Sequence, residues 1–385
     1  MIEYPEMEES FAKLVVIGVG GAGGNAVDTM ITSRVKGVEF VTANTDAQAL
    51  KRCRASRKVQ MGPGLGAGSN PEVGREHAEA SLEELSSILD GSDMAFITAG
   101  MGGGTGTGGA PVIARKAREM GILTVGVVTR PFDFEGRRRM RLAEAGVAEL
   151  KEFVDSLIVI PNQKLVVIAG KSMTFADAFK SADAVLLNAV QGISDLIVRP
   201  GMVNVDFADV RAVMTERGMA LMGVGVGTGE DRAIKAAQAA ISSPLLDDVS
   251  LQGARGVLVN VYGPENMSMH EIQEACTKIQ EEADEDALII WGATFDSTLK
   301  DEIRFTVIAT GFNSFEKQRN IRGVTRLRSG NLDVPTHLRE GRLNEKVEVA
   351  QIQPRNLAQP KISPFGEEEN DELAIPAFIR KRMMI

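Results

Sequence analysis

At 385 residues the chain is too long for one ordinary core and suggests about two domains with extra segments. A formal net charge of -9 gives it no basic footprint for nucleic acid, and two well-separated cysteines, Cys53 and Cys276, argue against a disulfide framework or a zinc site. The first ten residues are acidic, without the basic-then-apolar pattern of a secretory leader, and no apolar run approaches the roughly 20 residues of a membrane span. A cytoplasmic protein with no direct membrane insertion is therefore expected.

In chain order, Lys13–Val19 reads as a buried strand, followed by a glycine-rich turn and a helix over Asn25–Thr32. Strands are expected at Val38–Ala43, Asp93–Ala99 and Leu123–Val128, with helices at Glu72–Leu89 and Pro111–Met120. This alternation predicts a doubly wound parallel α/β sheet. After a short strand at Leu157–Pro161, a long helix runs from about Phe175 to Val198. Phe175, Phe179, Ala182, Leu186, Ala189, Ile193 and Ile197 form its apolar stripe, Thr174 and Asp177 its capping box, and Pro200-Gly201 its stop. A second pattern follows: strand 220–226, helix 231–241, strand 256–262, helix 269–284 capped by Ser268 and Glu271, and strands 287–292 and 303–310. The expected organisation is a tail over 1–12, a nucleotide domain over 13–174, a central helix over 175–200 and a smaller α+β domain over 201–314. A proline-punctuated disordered linker over 315–370 and a short peptide over 371–385 complete it.

Two glycine clusters carry the chemistry. Gly18-Val-Gly-Gly-Ala-Gly-Gly-Asn25 follows a strand and opens a helix, where small residues let the backbone approach a phosphate and the helix start supplies unpaired N–H groups. Alone it also fits a dinucleotide-binding turn, with Asp46 or Glu39 as the ribose acid, or a ligand-free tight turn. The second cluster, Gly102-Gly-Gly-Thr-Gly-Thr-Gly-Gly109, again joins a strand to a helix, and its N–H groups and hydroxyls can wrap an anion. No Lys-Ser or Lys-Thr follows, so it is not a Walker A loop.

Gly103-Gly-Thr-Gly-Thr-Gly108 resembles the signature of the tubulin/FtsZ superfamily, and the resemblance covers roughly residues 10–315 and the C-terminal tail. It implies a GTPase that binds GTP or GDP with Mg²⁺ held mainly through the phosphates, without a metal cage of protein ligands. Gly20, Gly21, Ala22, Gly23, Gly24 and Asn25, and Gly103, Gly104, Thr105, Gly106 and Thr107, match its phosphate loops. Ala67, Gly68 and Ser69 match the loop that senses the γ-phosphate, here with fewer residues ahead of Gly64 than is usual. Glu135 and Arg139 match ribose and guanine contacts, and Asn162, Phe179 and Asp183 the guanine pocket. A carboxylate such as Asp183 can accept two hydrogen bonds from guanine, which adenine cannot offer.

Taken by themselves, Asp206 and Asp209 are a helix cap and its partner. The resemblance implies instead that they, with Asn204, form the loop inserted into the neighbouring subunit's nucleotide site, where they position the attacking water. It further implies a head-to-tail homopolymer that assembles the cytokinetic ring at the mid-cell division site. Asp371–Ile385 resembles the family peptide that binds membrane-tethering and regulatory division proteins. The rival readings are a Rossmann-type oxidoreductase, which leaves most motifs idle and finds no suggestively placed histidine, and a non-hydrolysing filament protein of the same fold, which the presence of both aspartates disfavours.

Overall fold

A computed structural model describes residues 12–170, 173–199, 203, 205–216, 218–246, 251–296 and 299–312. The expected linker 315–370, the peptide 371–385 and Asn204 lie outside them. The elements follow as β1 (Leu14–Val19), α1 (Gly20–Thr32), β2 (Val38–Asn44), α2 (Ala47–Arg52), β3 (Arg57–Gln60), α3 (Pro71–Ala80), α4 (Leu82–Leu89), β4 (Met94–Gly100), α5 (Thr105–Glu119) and β5 (Leu123–Arg130). Then come α6 (Arg137–Phe153), β6 (Ser156–Pro161), α7 (Asn162–Ala169), α8 (Phe175–Val198), α9 (Phe207–Met214) and β7 (Gly218–Thr228). The series ends with α10 (Arg232–Ile241), β8 (Gly256–Gly263), α11 (Met269–Glu282), β9 (Leu288–Phe295) and β10 (Glu302–Thr310).

The strands form one sheet in the order β3-β2-β1-β4-β5-β6-β7-β10-β8-β9. All pairings from β3 to β7 are parallel, β10 runs antiparallel to β7 and β8, and β8 pairs with β9 in parallel. The doubly wound parallel sheet is thus as expected. The two halves are joined by strand pairing as well as by α8, because Ser156, Leu157 and Ile158 pair with Gly218, Met219 and Ala220. Strand order reverses at β1, which lies between β2 and β4, and a doubly wound sheet opens its ligand crevice at the carboxyl ends of strands around such a point.

Central helix α8 spans Phe175–Val198 as its periodicity predicts, and Thr174 accepts a hydrogen bond from the Asp177 N–H at 3.2 Å. Ala182, Leu186, Ala189, Ile193 and Leu196 enter one core with β1, β4, β5, β8 and β10 residues, so α8 is a spine shared by both halves. The apolar stripe differs from expectation at its start, where Phe175 and Phe179 are 69% and 38% exposed. They pack instead with Phe132 and Phe134 in a cluster of four rings. By length and composition α8 alone among the described helices could cross a membrane, contrary to the sequence reading, although its inner face is occupied by this core.

Other differences are local. Helices α1 and α5 begin at Gly20 and Thr105 rather than Asn25 and Pro111, so the glycine clusters are helical first turns and Pro111 lies inside α5. The helix expected over Glu72–Leu89 breaks at Ser81.

Candidate functional site

The starts of α1 and α5 meet at the carboxyl ends of β1 and β4. Neither helix has a side-chain cap, so no side chain occupies the first N–H groups of either. The approach is close because the residues are glycines. A Cβ on Gly20 would lie 3.1 Å from the Gly106 nitrogen, one on Gly23 2.4 Å from the Thr98 carbonyl, and one on Gly104 2.7 Å from the Ala67 Cβ. The last contact brings in the loop before α3, where Gly68 and Ser69 both have positive φ and are exposed. Gly21 and Gly103 face open space. Three backbone segments thus converge with the starts of two helices, a frame whose N–H groups and dipoles suit an anion.

Hydroxyls fix this frame. Thr105 shares a 2.6 Å hydrogen bond with Thr45, and Thr107 accepts from the Gly102 N–H at 2.8 Å. Thr107 therefore closes its own loop, and its hydroxyl keeps a proton to donate. Thr45 escaped the sequence reading, yet it directly follows β2, and the carboxyl end of each inner strand is where such a residue should be sought.

Beside these turns lies a shallow cleft. Its lining includes Ala22, Asn25, Glu135, Arg139, Asn162, Phe179 and Asp183, all expected from the sequence, together with the unforeseen Thr129 and Leu186. Asn162 begins α7 and is buried, and its Oδ1 has no hydrogen-bond partner, leaving an acceptor for a ligand. Burial pushes the Asp183 carboxyl up to about 6. Glu135 accepts from the Phe132 N–H at 2.9 Å and pairs with Arg139 at 3.1 Å, so these two residues hold one another at the cleft's rim. Phe179 packs edge-on at 5.1–5.2 Å against Phe132 and Phe175.

The ribose acids of the oxidoreductase reading are engaged elsewhere. Asp46 caps α2 through the Gln48 and Ala49 N–H groups, and Glu39 pairs with Arg57 at 2.8 Å.

Asp206 and Asp209 are not brought to the cleft within the chain. Asp206 caps α9, accepting from the Asp209 N–H at 2.7 Å, and both side chains are exposed. The α9 C-terminus lies at the opposite edge of the sheet, where the Met214 carbonyl accepts from Ser156, the first residue of β6, at 2.7 Å. At 1.5 Å rise per residue, Asp183 and Val198 are already roughly 22 Å apart along α8. Among the described residues, no cluster of three or more His, Cys, Asp or Glu could hold a metal ion.

Fold and site define an α/β protein with glycine-rich strand-to-helix turns gathered at a topological switch point. Residues 13–170 match the family model described as the GTPase domain of the tubulin/FtsZ family, and 218–313 the C-terminal domain of the FtsZ family. The chain is 58% identical to the cell division protein FtsZ of Magnetospirillum gryphiswaldense, over 78% of this chain and 54% of that protein. The FtsZ of Coxiella burnetii is 47% identical over 99% of both chains. A solved FtsZ dimer from M. jannaschii superposes with a TM-score of 0.77 at 46% identity, covering 80% of this chain and 90% of that one. The chain belongs to the tubulin/FtsZ family. It spans about half the length of the Magnetospirillum relative and nearly all of the Coxiella one.

Proposed function

We propose that the protein binds GTP in the α1/α5 cleft, assembles head to tail and hydrolyses the nucleotide between subunits, as a filament of the bacterial division ring. The observation that carries this reading is the separation of the two half-sites, with phosphate loops at one edge of the sheet and the exposed pair Asp206 and Asp209 at the other. A carboxylate pair on the far side of one subunit can reach a γ-phosphate only on another. Phosphoryl transfer then needs little beyond a positioned water and stabilised charge. Mg²⁺ would be carried by the phosphates, with the Thr45 and Thr105 hydroxyls as the nearby oxygens. Guanine fits the cleft through the Asp183 carboxylate and the free Asn162 acceptor, which suit its N–H donors. The functional units are 13–174, 175–200 and 201–314, with Asp371–Ile385 as the adaptor for tethering and regulatory division proteins in the cytoplasm at mid-cell. Sedimentation with GTP and with GDP, run beside phosphate release, tests the core. Filaments are expected with GTP alone, and equal pelleting with either nucleotide overturns it.

A further inference from the structure

Strand β9 is the last strand of the sheet on its side, and it begins Leu288-Ile-Ile-Trp291, with no charge or proline to discourage further pairing. Its hydrogen bonds show which groups stay open. Leu288 donates its N–H to the Arg255 carbonyl at 2.8 Å, and Asp296 donates to the Gly263 carbonyl at 2.9 Å. Successive residues of a strand turn their backbone groups to opposite sides, so the even-numbered residues of β9 face β8 and the odd-numbered ones face outward. Ala293 fits this parity, because it bridges Val203 on the outer side, the sole pairing found there among the described residues. Ile289 and Trp291 therefore carry N–H and C=O groups with no partner strand, a template for one more strand. Their side chains already rest on the core that β9 shares with α11, whereas Leu288 is 49% exposed.

The chain itself leaves the fold close to this edge. β10 ends at Thr310, which pairs with Gly256, and Gly256 pairs with Leu288. At about 4.8 Å per strand spacing, the exit is roughly 10 Å from the first residue of β9. Arg255 holds it there by donating its N–H to the Thr310 carbonyl at 2.9 Å. Residues 313–320 reach roughly 26 Å when extended, enough to pass two strand ends and arrive at the outer side of β9. Residues 321–325 then read Ile-Arg-Gly-Val-Thr, rich in β-branched side chains, and they match in length the stretch 288–292 that precedes the Ala293 bridge. Charge guides the crossing. Just before β9, residues 281–286 read Glu-Glu-Ala-Asp-Glu-Asp. Glu281 pairs with Lys278 at 2.7 Å, while Glu282, Asp284, Glu285 and Asp286 are exposed with no cationic partner among the described residues. The chain that passes this point carries Lys317, Arg319 and Arg322 against one carboxylate, Glu316.

We propose that residues 321–325 of the same chain add to β9 as a parallel strand, bonded to the outer groups of Ile289 and Trp291, with Lys317 and Arg319 crossing over Asp284, Glu285 and Asp286. The direction follows from the exit. β10 delivers the chain to the amino end of β9, so a strand added from there runs the same way as β9. A short tether gives the segment an effective concentration on the order of millimolar, an advantage that a strand from another molecule lacks. The added strand ends where Val203 bridges Ala293, shortly before Asp206 caps α9. The segment leaving the fold and the segment leading into α9 thereby share one edge, end to end. This pairing lies within one chain and holds whether or not the cleft takes GTP.

Residue-resolved hydrogen exchange on the full, nucleotide-free chain tests the strand. The Ile289 and Trp291 amides should be protected, and Ile321→Pro with Val324→Pro should speed their exchange by roughly tenfold or more. The two prolines differ in parity, so one of them removes a donor facing β9 in either register. The Leu288 and Ile290 amides face β8 and should exchange as before, which separates a lost strand from general loosening. Trp291 is the single tryptophan of the chain, so acrylamide quenching of its fluorescence should rise in the same variant. Lys317→Glu with Arg319→Glu should weaken the protection, and adding Asp284→Lys with Glu285→Lys should restore it. Free exchange of Ile289 and Trp291 in the unmodified chain overturns the proposal, as does protection that survives both prolines or a charge-exchanged variant no better protected than its glutamate parent. Protection that fades on dilution would put a second copy on the edge, which also overturns it.

Discussion

If the cleft takes guanine as proposed, Asp183 couples binding to pH. Its carboxyl is lifted to about 6 by burial, so in the ligand-free protein it takes up a proton at a pH where an exposed aspartate would not. Two donors on a guanine edge require two acceptor oxygens, hence the ionised form. GDP affinity measured by calorimetry should therefore be flat from pH 7 to 8 and weaken towards tenfold per unit as pH falls below about 6. Asp183→Asn should bind weakly with little pH dependence over that range, and an unaltered pH profile would show that another group governs binding. Stability runs the other way. A raised carboxyl favours the folded state when protonated, and that contribution is lost as pH rises through about 6. Asp183→Asn should thus melt higher than the unmodified ligand-free protein at pH 7–8, with the difference shrinking towards pH 4. Equal melting temperatures across the range would contradict the buried-carboxylate account.

At the scale of elements, the glycines separate into two populations that a single motif conceals. A Cβ on Gly108 would lie 1.9 Å from the Pro71 carbonyl, because α3 is pressed against α5, while a Cβ on Gly21 or Gly103 meets nothing within 4 Å. Gly108→Ala should cost roughly 1–3 kcal/mol or prevent folding, read as a fall in melting temperature. Gly21→Ala and Gly103→Ala should fold normally yet weaken GTP binding at least tenfold, because the methyl occupies space a phosphate needs. Tight binding by both variants would move the phosphates away from these turns. The same elements explain what the sequence made legible. Helices α3, α8, α9 and α11, capped by Asn70, Thr174, Asp206 and Ser268, carry ordinary start signals, and the starts expected for α3, α8 and α11 fell within a residue of those observed. Helices α1, α5, α6 and α7 have no side-chain cap, and they were placed late or missed. All four begin along the cleft edge, where a side-chain cap would fill the N–H groups that a ligand requires. A missing start signal does not mark the site by itself, because α4 and α10 are uncapped as well and capped α2 was missed. Phe179 was ambiguous for a different reason, since its spacing fits the core stripe while its ring packs instead against Phe132 and Phe175 at the cleft.

At the scale of the whole molecule, one continuous sheet and one spine helix hold the cleft at one end of α8 and the start of α9, beside Leu196 and Gly292, at the other, and the proposed function reads these as two half-sites. On that reading the active site is a property of the contact and not of the chain, which complementation can reveal. Asp209→Ala keeps an intact cleft and lacks the distant carboxylate. Gly103→Ala keeps the carboxylate and carries an obstructed cleft. Each alone should release phosphate at a small fraction of the unmodified rate. Mixed in equal amounts above the assembly threshold, they create a contact in which the cleft of the first meets Asp209 of the second. With random incorporation into a heterologous head-to-tail polymer, about a quarter of contacts are of this kind. Phosphate release per subunit should accordingly recover towards about that fraction of the unmodified rate, and it should vanish on dilution below the threshold as the contacts dissociate. Recovery depends on both half-sites meeting across subunits, so a mixture no faster than the sum of its components would place Asp209 outside the hydrolytic site.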